Sequence, residues 1–161
     1  IHVLINCAGI QHVDSIEFFP ESKWEKIIKI NLSSNFYTSK YILPIMKKNC
    51  WGRIINISSV HGQVASLNKS AYVASKHGLI GLTKYLASYW ADKNVRVNAL
   101  SPGGVFNFQD KLFLHKIKKL IPMRRMANLS EYKEAIQFLC SDASSYMTGH
   151  NMVLDGGRSV I

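Results

Sequence analysis

Ser59, Tyr72 and Lys76 place a hydroxyl, a phenol and an ammonium within one eighteen-residue stretch, SVHGQVASLNKSAYVASK. Tyr72 and Lys76 are four residues apart, so on a helix they share a face. A cation held beside a phenol favours the phenolate and lowers its pKa toward neutrality. Such a group can pass protons near neutral pH. Ordinary readings stand beside this one: Ser59 as a cap or turn residue, Tyr72 and Lys76 as a surface pair.

The elements that would position these groups read strand, helix, strand, helix, strand, helix, strand. That alternation predicts a parallel sheet with helices on both faces. Residues 2–6 (HVLIN) are a buried strand, and residues 11–20 a loop. A long helix over 22–48 carries Trp24, Ile27, Ile28, Leu32 and Phe36 at helical spacing, with a kink expected at Pro44. A second strand covers 53–57, and a loop covers 58–69. A second long helix covers 70–91, and a third strand covers 95–100. Residues 106–127 resist assignment, and the lysine-rich stretch 110–120 suits a mobile lid. Ser130 is the expected N-cap of a last helix through Leu139, before a final strand at 151–154. The chain reads as one domain, 1–161.

The net charge is +10, but the basic residues are scattered and no nucleic-acid-binding module accompanies them. Solvated lysine faces explain the charge, and no nucleic-acid partner is expected. No apolar run approaches the ~18 residues of a membrane span. The three cysteines, Cys7, Cys50 and Cys140, are far apart and form no CxxC, which fits a reducing cytoplasm. The histidines lack HxxxH and HExxH spacing, so no metal is expected. The start, IHVLINCAGI, has no basic leader and is not read as a signal peptide. It opens on Ile directly into a strand, and a chain cut at its N-terminus is the expectation.

In an open parallel sheet, ligands bind beyond the carboxyl ends of the strands. Here those ends carry small or hydroxyl residues: Asn6 to Gly9, Ser58-Ser59, and Pro102 to Gly104. Together with Tyr72 and Lys76 they predict a ligand crevice. The motifs NCAG, NISS, Tyr-x3-Lys, RVNALSPGG and YMTGHNMVLDGG resemble, in order and spacing, the short-chain dehydrogenases/reductases. The resemblance covers essentially the whole chain. It implies the carboxyl-terminal part of a Rossmann-like doubly wound α/β sheet and a nicotinamide-dependent oxidoreductase.

By that resemblance Tyr72 is the general acid/base, Lys76 lowers its pKa and meets the nicotinamide ribose, and Ser59 holds the substrate oxygen. Asn31 positions a proton-relay water, although alone it reads more readily as a helix-surface residue. Asn6, Ala8, Gly9, Pro102, Gly103 and Val105 would contact the cofactor, together with Tyr72 and Lys76. Two positions depart from the family pattern: Cys7 within NCAG, and Asn107 where a Thr usually follows Val105. The family's TGxxxGxG turn, on which the cofactor pyrophosphate meets a helix N-terminus, does not occur in the sequence. The residue that selects NAD or NADP is also absent. The likeness nonetheless favours NAD(H) over NADP(H). With the front strands missing, the first strand would be an exposed edge, and the chain alone would bind cofactor poorly.

The first half is most similar to bacterial 3-hydroxybutyrate dehydrogenases. That likeness implies that Gln11, His61 and Lys69 bind a substrate carboxylate beside Ser59; alone, His61 and Lys69 read as a loop histidine and a solvated lysine. One cation, one imidazole and one amide suit a small carboxylate. The second half departs, with Phe113 near where a further substrate Gln would fall and Gln109 close by. It is more similar to members acting on sugars, polyols or acyl carriers. A non-catalytic Rossmann-like assembly module is the reading from another class. The resemblance also implies a homodimer or homotetramer, joined through roughly residues 22–48, 70–91 and 150–161.

Overall fold

The computed structural model describes all 161 residues. Four strands form one fully parallel sheet: β1 (Val3–Asn6), β2 (Gly52–Ile57), β3 (Val95–Pro102) and β4 (Asn151–Leu154). Their spatial order follows the sequence, β1-β2-β3-β4. The register sets Asn6 beside Asn56, Asn56 beside Ala99, and Ala99 beside Asn151, so the carboxyl ends open onto one edge.

Helices cover both faces, as the alternation predicts. Side chains along a strand alternate between faces, and β2 shows this directly. Ile54 packs with Ile42, Leu43 and Met46 of α2 (Ser34–Lys48) and Leu86 of α3 (Ser70–Trp90). Its neighbour Ile55 packs on the other side, with Leu139 of α5 (Lys133–Cys140) and Tyr132. β1 pairs only with β2, and Val3 and Ile5 are exposed, which matches the expected apolar edge and corrects the reading of residues 2–6 as a buried strand, since no strand or helix covers that side. No helix is long and apolar enough to cross a membrane.

The expected single helix over 22–48 is corrected. α1 (Glu21–Ile28) is separated from α2 by a π-helical turn, Lys29–Ser33, centred on the buried Asn31. One extra residue per turn barely disturbs an apolar pattern, which is why periodicity missed it. Pro44 lies inside α2 without interrupting it. The cap of the last helix is also corrected. Asn128 rather than Ser130 forms a capping box with Glu131, opening a 3-10 turn over Leu129–Tyr132 that leads into α5. The hard-to-assign stretch contains α4 (Lys111–Lys119), capped by Asp110, whose side chain accepts from the Phe113 amide at 2.8 Å.

Candidate active site

The strand ends bring the sequence-marked residues together. Lys76 sits on α3 with only 4% of its surface exposed, and its Nζ donates to the Ile57 carbonyl at the end of β2, at 2.7 Å. One turn earlier, Tyr72 presents its ring to the same ammonium, 5.7 Å from the ring centroid. Ser59 caps a 3-10 turn, Val60–Gly62, and its Oγ accepts from the His61 amide at 3.2 Å. The Ser58 Oγ donates to the Lys76 carbonyl at 3.1 Å, joining strand end to helix. The cap reading of Ser59 therefore holds, and Ser59 still faces the cleft.

Two clefts meet at Ser59 and Tyr72. The first, about 360 Å³, is lined by Cys7, Gly9, Ile57, Lys76 and Pro102. The second, about 270 Å³, is lined by His61, Lys69, Gln109, Phe113 and Arg158. Gln11, Ser59, Tyr72, Gly103 and Val105 belong to both. The first cleft fits the nicotinamide-ribose end of a dinucleotide. Its floor is open at Gly9, where an added Cβ would stand 3.6 Å from Lys76 Nζ and 3.7 Å from Asn31 Oδ1. Its walls offer a buried ammonium and backbone, with no acidic side chain to repel a ribose hydroxyl or a carboxamide oxygen.

Three expected site residues are placed elsewhere. Asn31 does not line either cleft; it staples the loop after β1. Its Nδ2 donates to the Ile10 carbonyl at 2.9 Å and to Ser75 Oγ at 3.1 Å, while its Oδ1 accepts from the Ile10 amide at 2.9 Å. It is a positioning residue, fixing the backbone between Gly9 and Gln11. The Asn6 side chain is held by Asn56 at 2.9 Å and Thr38 at 2.8 Å, and neither Asn6 nor Ala8 lines a cleft. Gln109 lines the second cleft, but its amide is occupied by the Val105 carbonyl and the Asn107 amide. Phe113, Ile117 and Leu120 of the lid region form that cleft's apolar wall.

Electrostatics correct one expectation. Burial raises the Tyr72 pKa, with the nearby Ser59 hydroxyl opposing that rise, so the phenol here is held in its neutral form. The Lys76 ammonium lies over the ring face and gives one of its three N–H donors to the Ile57 carbonyl. Burial brings the Lys76 pKa down to about 8, with Cys7 opposing. Burial also lowers Lys69. His61 is lowered first by burial, then by the charge of Lys69 and, more weakly, of Arg158. Its Nδ1 is buried without a hydrogen-bond partner. Arg158 is the cleft residue that sequence reasoning missed. It follows a Gly-Gly turn and matches no motif, and only the third dimension brings it beside His61.

A parallel sheet with a lysine, a tyrosine and a serine converging beyond its carboxyl ends defines a Rossmann-like oxidoreductase. The chain belongs to the short-chain dehydrogenase/reductase family. Residues 1–159 match the family model described as enoyl-(acyl carrier protein) reductase. Among curated relatives, the D-beta-hydroxybutyrate dehydrogenase of Rhizobium meliloti is 39% identical over 96% of this chain and 66% of its own length. The 3-oxoacyl-(acyl-carrier-protein) reductase of Buchnera aphidicola subsp. Schizaphis graminum is 40% identical over 98% of this chain and 66% of its own. The chain thus spans about two thirds of the length of the curated relatives it matches. A gluconate 5-dehydrogenase from Burkholderia cenocepacia, solved with NADP and tartrate, superposes with a TM-score of 0.96 at 29% identity, over 100% of this chain and 66% of that one. A 4-hydroxyisoleucine dehydrogenase solved with NADH gives 0.92 at 34% identity, over 99% and 69%.

Proposed function

We propose that the protein interconverts a secondary alcohol and a ketone on a small hydroxy acid of the 3-hydroxybutyrate kind. The observation that carries this is the junction of the two clefts at Ser59 and Tyr72. A nicotinamide ring bound beyond Gly9 would supply or accept hydride. Ser59 would hold the substrate oxygen, and Tyr72, kept protonated by burial, would donate a proton to a ketone oxygen in the reductive direction. Lys76 would bind the ribose, with Pro102, Gly103 and Val105 along the ring. Gln11, His61 and Lys69 would hold the substrate carboxylate. NAD(H) is proposed over NADP(H), in keeping with the higher identity to the NADH-bound neighbour.

A reductase acting on acyl-carrier or sugar substrates is the second reading. The apolar wall of Phe113, Ile117 and Leu120 and the likeness to 3-oxoacyl reductases favour it. Turnover of 3-hydroxybutyrate and of its methyl ester separates the two, measured on the protein at the length its gene encodes. The carboxylate reading expects the ester to lose at least about tenfold in kcat/KM, the size of one charge-assisted hydrogen bond. Equal rates would move the assignment to the second reading.

Homo-oligomer assembly through the long helices is also proposed. Phe36, Tyr37 and Tyr41 on α2, and Tyr85 and Tyr89 on α3, are exposed aromatics suited to burial against another copy. The free cysteines suit a reducing compartment such as the cytoplasm.

A further inference from the structure

The second cleft carries more positive charge than one carboxylate neutralises. Lys69 and Arg158 both line it, each within charge reach of His61, and no aspartate or glutamate does. The four ion pairs of the chain leave both cations out. Neither side chain has a hydrogen-bond partner within the protein. Both are partly buried, so leaving either unmatched in a filled cleft carries a desolvation cost.

Arg158 is held in place rather than left to wander. It opens the 3-10 turn Arg158–Val160, which follows β4 after the Asp155-Gly156-Gly157 turn. The nearest acid, Asp155, does not pair with it. The Asp155 carboxylate accepts from the Gly157 amide at 2.9 Å and from the Ser159 amide at 2.8 Å, on either side of Arg158. Gly156 and Gly157 both adopt positive φ, +65° and +87°, which a side chain would resist. The turn is therefore fixed by backbone, and the guanidinium is free for a ligand.

We infer that the substrate is a dianion: a hydroxy or keto acid with a second carboxylate, one bound by Gln11, His61 and Lys69 and the other by Arg158. This rests on the hydroxy-acid reading above and makes Arg158 a specificity-determining residue. A monoanion would leave one partly desolvated cation unmatched, which disfavours it relative to a dianion of similar size.

Binding tests this without requiring turnover. Succinate and butyrate, of equal carbon number, would be titrated into the protein at the length its gene encodes, by heteronuclear NMR at matched ionic strength. The site is read from the amides of Gln11, His61 and Lys69. Succinate is expected to bind about tenfold more tightly, one charge-assisted contact's worth. Arg158→Gln should bring the two within about twofold, chiefly by weakening succinate, and Arg158→Lys should retain part of the preference. Equal affinities in the wild type would overturn the inference whatever the variants do. So would a succinate preference that survives Arg158→Gln. Either result leaves the hydroxy-acid chemistry standing, because that is judged by the ester comparison.

Discussion

The two ends of the parallel sheet treat buried cations in opposite ways. At the amino end of β2, Arg53 is almost wholly buried, yet every part of its guanidinium is engaged. It donates to the Gly52 carbonyl at 2.9 Å and, more loosely, to the Asn94 and Ser141 carbonyls. It also pairs with Asp142 at 2.8 Å and stacks on Trp51, 4.4 Å from the ring centroid. At the carboxyl end of the same strand, Lys76 has one backbone carbonyl and an aromatic face, and Lys69 and Arg158 have no partner. Folding satisfies the first end with the protein's own groups. The second end leaves Lys69 and Arg158 without a partner among the chain's own groups, and this is where chemistry-bearing groups accumulate.

The largest stability effect should come from the amino end. Arg53→Ala strips donors from three backbone carbonyls and removes a packed side chain. It should destabilise the fold by on the order of 3 kcal/mol in chemical denaturation. Asp142→Asn should cost well under about 1 kcal/mol, because Asp142 is 79% exposed and its pairing is screened by water. A large effect of Asp142→Asn would show that the ion pair, rather than the carbonyl contacts, holds Arg53, and would weaken the contrast.

A smaller, pH-dependent effect belongs to the carboxyl end. The Lys76 pKa lies at about 8 in the fold, below its ordinary value of 10.5. Between those values the unfolded chain holds the proton more tightly, so stability rises with pH across that window. Below it, the cost of burying the charge is fully present. Lys76→Gln should flatten the rise in unfolding free energy between pH 8 and 10, whereas Arg53→Ala should leave its slope unchanged. Lys69 contributes with the same sign, so part of the rise survives Lys76→Gln. An unchanged slope in Lys76→Gln would mean that Lys76 is charged and satisfied at both pH values, as Arg53 is.

Much of the site is legible from local spacing. Ser59, Tyr72 and Lys76 lie on one strand-end loop and the helix after it, so short-range periodicity suffices. Gln11, His61 and Lys69 are found through motif likeness, and the structure brings them to one cleft. What escapes the sequence depends on tertiary placement. Arg158 needs the register of β4 and the Asp155-bracketed turn to reach His61. The Asn31 staple needs a π turn that periodicity cannot register. The direction of the Tyr72 shift needs the depth of burial, which outweighs the opposing Ser59 hydroxyl and which spacing along the chain does not show. Of the fold, β2 and α3 are read to within a residue and β3 runs two residues past its expected end, because short apolar-rich runs bounded by turn signals and a long alanine-rich helix leave few alternatives. The lid region is read least well, since α4 is exposed and amphipathic and owes its start to the Asp110 cap.

The central claim is that the carboxyl-end junction, and Tyr72 within it, performs proton transfer to the substrate oxygen. The most direct measurement is nicotinamide-linked turnover of wild type and Tyr72→Phe at the length the gene encodes, with circular dichroism and thermal melting on both. Loss of at least about a hundredfold in kcat, with the fold and melting transition retained, is the expected result. Turnover equal to wild type would contradict it.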